Sequence, residues 1–422
     1  MAETDKERFS RIARSESPGE LALLGSFNSF LWPETLGQWV NEGLPSGLGT
    51  GMLLNMMGQS APEVDSYFGF ARAHTLREIG SGDAWSKELG SGEITPELVR
   101  SIPEDQLSAV MLLVMEQQAI SRVPLWPRFE QRVLAEGERQ TTLVNISGVT
   151  MVVMKGSSGM PHFVDFPVKN REDWNSYKKR LDPESPERLP ANWEAFADGL
   201  NASGKIVEFH GGGFVGFLRE WMGLEPLLYA FYDEPAWVEE MMDFVVDFQV
   251  AMMRKVLPAI KVDLAIFFED MCYRAGPLVS PDLVRRLFVP RYKKLTEVAR
   301  SLGVPVVAVD SDGNIDELVP LWIESGFNGI WPVEIGAGGD PVALKKKYGK
   351  DLVVMGGIDK RALALGEAAI REEVMSKVPF LLEAGGYFPT PDHGLPPDVS
   401  FSNYCCYVDT VREAAGLERL FV

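Results

Sequence analysis

Cysteine is nearly absent from this chain. Three residues, Cys272, Cys405 and Cys406, occur in 422. That is too few for a disulfide framework, and the adjacent pair is no Cys-x-x-Cys motif. Thiols in apolar surroundings usually pack as small hydrophobes. Positive charge is also short: 41 Lys and Arg face 60 Asp and Glu, a net charge of −19. A nucleic-acid surface needs a basic stripe, so no nucleic-acid partner is expected. A small anionic substrate is still open, because local charge can differ from net charge. No apolar run approaches a bilayer span, and the N-terminal residues 1–8 lack the apolar core of a signal peptide. These absences predict no membrane association and a cytoplasmic location. The P-loop lysine motif, HExxH and the Gly-x-Ser-x-Gly elbow are missing. Gly211-Gly212-Gly213 is too weak a pattern to mark a dinucleotide site.

What the chain does have is a 45% apolar composition with 24% charged residues, ordinary for a globular protein. Its length suits two or three common domains or one large α/β barrel. The last quarter decides between them. Four short apolar runs stop at Asp310-Ser311-Asp312-Gly313-Asn314, Pro332-Val333-Glu334, Gly356-Gly357-Ile358-Asp359 and Pro389-Thr390-Pro391-Asp392-His393-Gly394. Helical stretches separate them, which is a βα rhythm. In a (β/α)8 barrel the loops after the strands build the active site. Asp310, Asp312, Glu334, Asp359 and His393 are therefore expected at one mouth.

Earlier segments extend the pattern. Strands are expected at 123–126, at 206–209 ending on His210, and at 263–268 ending on Glu269-Asp270. Segments 141–146 and 150–154 read as a hairpin. Helices are expected at 95–120, at 226–257, and at 281–302 with Ser280 as N-cap. The domain reading is a mainly helical extension over 1–120 packed on a barrel over 121–422.

Four histidines are present. His74 reads as packing or surface in the helical N-terminal part, and His162 as a loop residue. His210 precedes three glycines that allow close approach of a ligand, and His393 sits in a loop constrained by prolines. Asp310 and Asp312 alternate about Ser311, which would turn both carboxylates to one side. Such converging oxygen and nitrogen ligands suit a metal, although Asp-Gly-Asn is also ordinary turn chemistry. Glu334 and Glu269 are candidates to complete a ligand set or to act as a base. Trp126, Phe129, Tyr273 and Trp331 are candidate pocket walls.

The tail from Gly356-Gly357-Ile358-Asp359 through Pro391-Asp392-His393-Gly394-Leu395-Pro396-Pro397 to Asn403 resembles the uroporphyrinogen decarboxylase superfamily. So do Phe214–Leu218 with Arg219-Glu220-Trp221, Phe231-Tyr232-Asp233-Glu234-Pro235, and Ser280-Pro281. The resemblance implies a (β/α)8 barrel and one of two chemistries: decarboxylation of porphyrinogen acetates, or zinc-assisted methyl transfer involving corrinoid proteins or thiols. The arginine-rich N-terminal segment of the decarboxylases has no counterpart here. The nearest stretch, Leu24 to Glu34, contains no basic residue, and polycarboxylates without arginines are hard to hold. The zinc methyltransferases use a His-x-Cys pair and a late Cys. Those positions fall here at Asp310-x-Asp312 and near His393.

The resemblance therefore implies a methyltransferase of the O-demethylase kind. A methyl group would move from a small, methoxylated aromatic donor to a corrinoid carried on a separate protein. Asp310, Asp312, Glu334 and His393 would surround a zinc ion acting as Lewis acid. Glu269, His210 and Asp359 would be catalytic candidates, and a homodimer is open. A metal-free decarboxylase or lyase and a non-catalytic binding barrel are the alternatives.

Overall fold

A computed structural model describes residues 3–56, 59–77, 103, 125–155, 161–189 and 192–421. The strands in chain order are β1 (Leu23–Leu24), β2 (Phe70–Ala71), β3 (Ala73–Arg77), β4 (Arg132–Glu136), β5 (Gln140–Val144), β6 (Thr150–Met154) and β7 (His162–Asp165). They continue with β8 (Ile206–Gly212), β9 (Leu264–Phe268), β10 (Cys272–Tyr273), β11 (Gly276–Pro277), β12 (Val306–Asp310), β13 (Gly329–Trp331), β14 (Val353–Met355) and β15 (Tyr387–Phe388).

Seven of these form one parallel sheet in the order β15-β14-β13-β12-β9-β8-β3. Only Arg72 separates β3 from β2, and β2 pairs in parallel with β1. β1 thus adds the eighth staff of a (β/α)8 barrel. Its seam with β15 is fastened by Asn28, whose Nδ2 donates to Pro389 O at 3.3 Å, and by a parallel bridge from Leu31 to Leu395.

Strand alternation separates two cores. Leu24, Ala71, Ala73, Ile206, Leu264, Ile266, Val306, Ala308, Val353, Met355 and Phe388 fill the barrel interior. Val207, Phe209, Phe267, Val307, Val309, Ile330 and Val354 face the surrounding helices. The floor is closed by the first helix, Asp5–Ala13, which opens with a Thr4/Glu7 capping box. Its Phe9, Ile12 and Ala13 join the interior core, and the Phe9 ring stacks on Phe388 with centroids 4.8 Å apart. Burying Phe9 and Ile12 contributes about 2 kcal/mol each. Lys6, paired with Asp263 at 3.1 Å, ties this helix to the start of β9.

Several expectations change. The region before residue 121 is more than an extension, because β1, β2 and β3 are barrel strands. Alanine has weak strand preference, so Phe70 to Arg77 did not look extended in sequence. His74 consequently lies on a strand; it faces outward, against Phe196 at 5.8 Å. The expected helix over 226–257 is two helices, Leu224–Asp233 and Pro235–Val256. Pro235 has no N–H to continue the first, but suits the first turn of the second. Ser280 caps its helix as expected, accepting from Leu283 N. That helix widens into π turns over Val284–Phe288 ahead of Pro290, which cannot donate. The hairpin of β5 and β6 is present, with Val144 opposite Thr150, and belongs to a separate four-stranded antiparallel sheet with β4 and β7. Leu125 and Trp126 are in no strand. The expected helix over 95–120, apart from Pro103, lies outside the described residues, as do positions 123 and 124. No helix among the described residues is long and apolar enough to cross a membrane.

Candidate active site

Strand register ranks the inward side chains. Gly212, Phe268, Asp310 and Trp331 are successive partners across β8, β9, β12 and β13. One step lower lie His210, Ile266 and Ala308, and one further Glu208, Leu264 and Val306. Ile206, Leu264, Ile266, Val306 and Ala308 are in the interior core. Parity therefore turns Glu208, His210, Phe268, Asp310 and Trp331 inward as well.

Beyond β12 the chain turns sharply. Ser311 N donates to Trp331 O at 3.1 Å, and Ser311 Oγ accepts from Met271 N at 3.1 Å. Gly313 has φ +82°, and a Cβ there would lie 2.6 Å from the Cys272 carbonyl carbon, so only glycine fits. This turn presents Asp312 to the loop after β15. Asp312 Oδ2 lies 3.3 Å from His393 Nε2. The neighbouring Glu334 accepts the Gly313 N–H at 3.0 Å. Phe30 covers the His393 ring at 5.6 Å and approaches Trp331 at 6.5 Å, while Phe27 lies 5.2 Å from Trp331. An acid–imidazole pair thus stands beside an aromatic wall.

His393 is held indirectly by its neighbour. Asp392 is buried, and its two oxygens accept from Ile335 N at 2.8 Å and Lys360 N at 3.0 Å. One carboxylate therefore clasps the loops after β13, β14 and β15. Burial raises the Asp392 pKa against the opposing pull of these N–H groups.

Deeper in the barrel is a residue that sequence reasoning missed. Glu208 is fully buried. Ser26 Oγ donates to Oε1 at 2.7 Å and Thr75 Oγ1 donates to Oε2 at 2.7 Å. His210 Nε2 lies 3.6 Å from Oε2. Burial alone would raise the carboxyl pKa, but His210 and the two hydroxyls outweigh it and leave it below the ordinary value. The available signal was a glutamate and a histidine sharing parity within an otherwise apolar strand.

Other expected residues lie elsewhere. Glu269 is fully buried behind the barrel wall. It accepts from Phe214 N and Val215 N at 2.8 Å each and from Tyr292 OH at 2.6 Å, capping helix Phe214–Met222. Burial pushes its pKa up to about 6 despite those donors. Asp359 caps helix Lys360–Ala364 and pairs with Arg361 at 2.7 Å. Strand-end acids can serve a helix N-terminus as readily as a barrel mouth, and these two do. Phe129 packs under the Arg180 guanidinium at 4.1 Å and on Tyr177, away from the mouth. Trp126 donates its N–H to Arg180 O in the same place. Tyr273 is exposed at the rim, where its carbonyl accepts from Asn314 N. Of the four expected wall aromatics, only Trp331 faces the interior. His162 is exposed on β7. Cys272 is buried, which pushes its thiol up to about 12, so it is no nucleophile.

Among the described residues no group of three or more His, Cys, Asp or Glu side chains is arranged to hold a metal ion. Asp312 and His393 are turned to each other, and Glu334 is engaged with Gly313 N. As arranged, the four residues do not fit a tetrahedral zinc centre.

A parallel eight-stranded barrel with an acid–imidazole pair on the loops after its strands defines an α/β-barrel enzyme. The chain belongs to the uroporphyrinogen decarboxylase family, whose model, described as Uroporphyrinogen decarboxylase (URO-D), matches residues 141–414. Among the solved structures it is similar to a methyltransferase from Methanosarcina mazei, with 12% identity and a TM-score of 0.56, covering 98% of this chain and 99% of that one. At that identity the likeness speaks to the fold. Comparison with curated proteins gave no match.

Proposed function

We propose that this protein is a methyltransferase that takes a methyl group from a small methoxylated donor and delivers it to a corrinoid carried by a separate protein. The observation that carries this reading is the Asp312–His393 pair beside Phe30 and Trp331 at the end of the barrel where the strands finish. The aromatic side chains suit a planar donor. Breaking the methyl–oxygen bond leaves its electron pair on oxygen, where negative charge develops. His393, oriented by Asp312, gives that oxygen a proton as the methyl carbon passes to a nucleophile presented at the mouth. Asp392 keeps His393 in place, and closure of the floor excludes water from below. No step is assigned to a metal.

The test is incubation with methoxylated aromatics and a reduced corrinoid protein, following release of the phenol and methylation of the corrinoid by absorbance. Phenol formation that depends on the corrinoid supports the reading. Carbon dioxide release from a carboxylate without any corrinoid overturns it in favour of decarboxylation.

A further inference from the structure

Asp312 and His393 sit on separate loops, and a third loop braces both. Consecutive residues after β13 reach in the two directions. The Glu334 carboxylate accepts the Gly313 N–H at 3.0 Å, one residue from Asp312. The Ile335 N–H donates to Asp392 Oδ2 at 2.8 Å, one residue from His393. A shift of this loop would therefore disturb both halves of the pair.

The bracing loop is itself fixed. Pro332 O accepts from Gly357 N at 2.9 Å, and Glu334 O accepts from Ala337 N at 3.2 Å and Gly339 N at 3.0 Å. Between them Val333 is fully buried and has φ +56°. A β-branched residue rarely adopts that conformation, and it persists only where the surroundings over-determine it. Such positions cluster at functional sites.

The Asp312 turn depends on that brace at its middle. Ser311 N donates to Trp331 O at 3.1 Å, and Asn314 N donates to Tyr273 O at 3.0 Å. The Gly313 N–H lies between these anchors and is met by Glu334. Without the carboxylate the ends of the turn stay tied and its centre, where Asp312 lies, is released.

Resting on the methyl-transfer reading, we infer that Glu334 is a positioning residue. It acts through the Gly313 N–H to set Asp312 against His393, and it neither ligates a metal nor exchanges a proton in the step. This role needs a hydrogen-bond acceptor and no charge. Glutamine supplies an amide oxygen as acceptor, and alanine supplies none.

The test compares Glu334→Gln with Glu334→Ala by two readouts. The first is nitrogen NMR of the imidazole rings at one pH, which needs no turnover. With only four histidines in the chain, His393→Gln identifies the His393 signals. Glu334→Ala should shift those signals and leave His74 and His162 in place, whereas Glu334→Gln should match wild type. A general loss of stability would not single out His393. The second readout is phenol release from 2-methoxyphenol with the reduced corrinoid protein. Glu334→Ala should lower kcat about tenfold with KM unchanged, within what a sub-ångström misplacement costs, and Glu334→Gln should restore it. Unmoved His393 signals in Glu334→Ala overturn the inference. So does a glutamine variant as impaired as the alanine one, which would show that charge, a proton or a metal is required. If Glu334→Ala fails to fold, Glu334→Gln still decides, because altered His393 signals in it overturn the inference. Should the signals behave as expected while wild type transfers no methyl, the positioning role stands and the proposed reaction falls.

Discussion

His393 Nε2 stands 3.3 Å from Asp312 Oδ2, although one residue follows β12 and the other follows β15. Two features bring them together. Gly313 lets the first loop turn over the Cys272 carbonyl, and Asp392 pins the second loop to its neighbours. The pair is a product of loop architecture.

Asp312→Asn tests that product. The substitution keeps shape but changes how the imidazole is oriented. Methyl-transfer kcat should fall about 100-fold, the lower end for loss of a positioned acid, with little change in melting temperature. A kcat within twofold of wild type would remove Asp312 from the reaction.

Metal analysis gives a second check. Because Asp312, His393 and Glu334 are engaged with one another's loops, protein supplied with zinc and then desalted should keep well below one zinc per chain. Turnover should survive a chelator. One zinc per chain that is lost in His393→Ala would show instead that the loops rearrange around a metal.

Asp392→Ala addresses stability. It leaves the part-buried Ile335 and Lys360 N–H groups without their acceptor, which costs about 2 kcal/mol. Urea denaturation should show a lower midpoint, and activity should drop as His393 loosens. An unchanged midpoint would mean that water or another group replaces the clasp.

His74 makes stability depend on pH. Burial, helped by Lys205 and opposed by Glu208, lowers its pKa to about 4 from 6.5. Between those values the unfolded chain binds the proton and the native one does not. The contribution is therefore complete above pH 6.5 and is lost as pH falls towards 4, by about 3 kcal/mol at most. Denaturation at pH 7 and pH 5 should separate wild type from His74→Leu, with the smaller loss on acidification in the variant. Parallel losses would contradict this account.

The mouth was legible in sequence where the rhythm was regular. The acids and histidine after β12, β13 and β15 were visible because each closes an apolar run, and Asp312, Glu334 and His393 do come together. Glu269 and Asp359 gave the same signal but face helix N-termini. A strand end does not say which way the next side chain turns. Glu208 stayed hidden because it lies within a strand, and its hydrogen-bond donors Ser26 and Thr75 come from the Gly25–Asn28 segment and from β3. The β2–β3 strand was missed because two of its interior positions are Ala71 and Ala73, small residues that suit a crowded barrel but carry little strand preference.

The floor formed by Phe9 and Ile12 has a kinetic consequence. Among the described residues the lower end of the barrel is stoppered, so ligands enter from the end where the strands finish. Under the proposed reaction, donor and acceptor protein must share that end. The donor has to be seated before the acceptor docks, and the demethylated product waits until the acceptor departs. Steady-state kinetics should accordingly show compulsory order, with excess acceptor protein slowing turnover by blocking the way in.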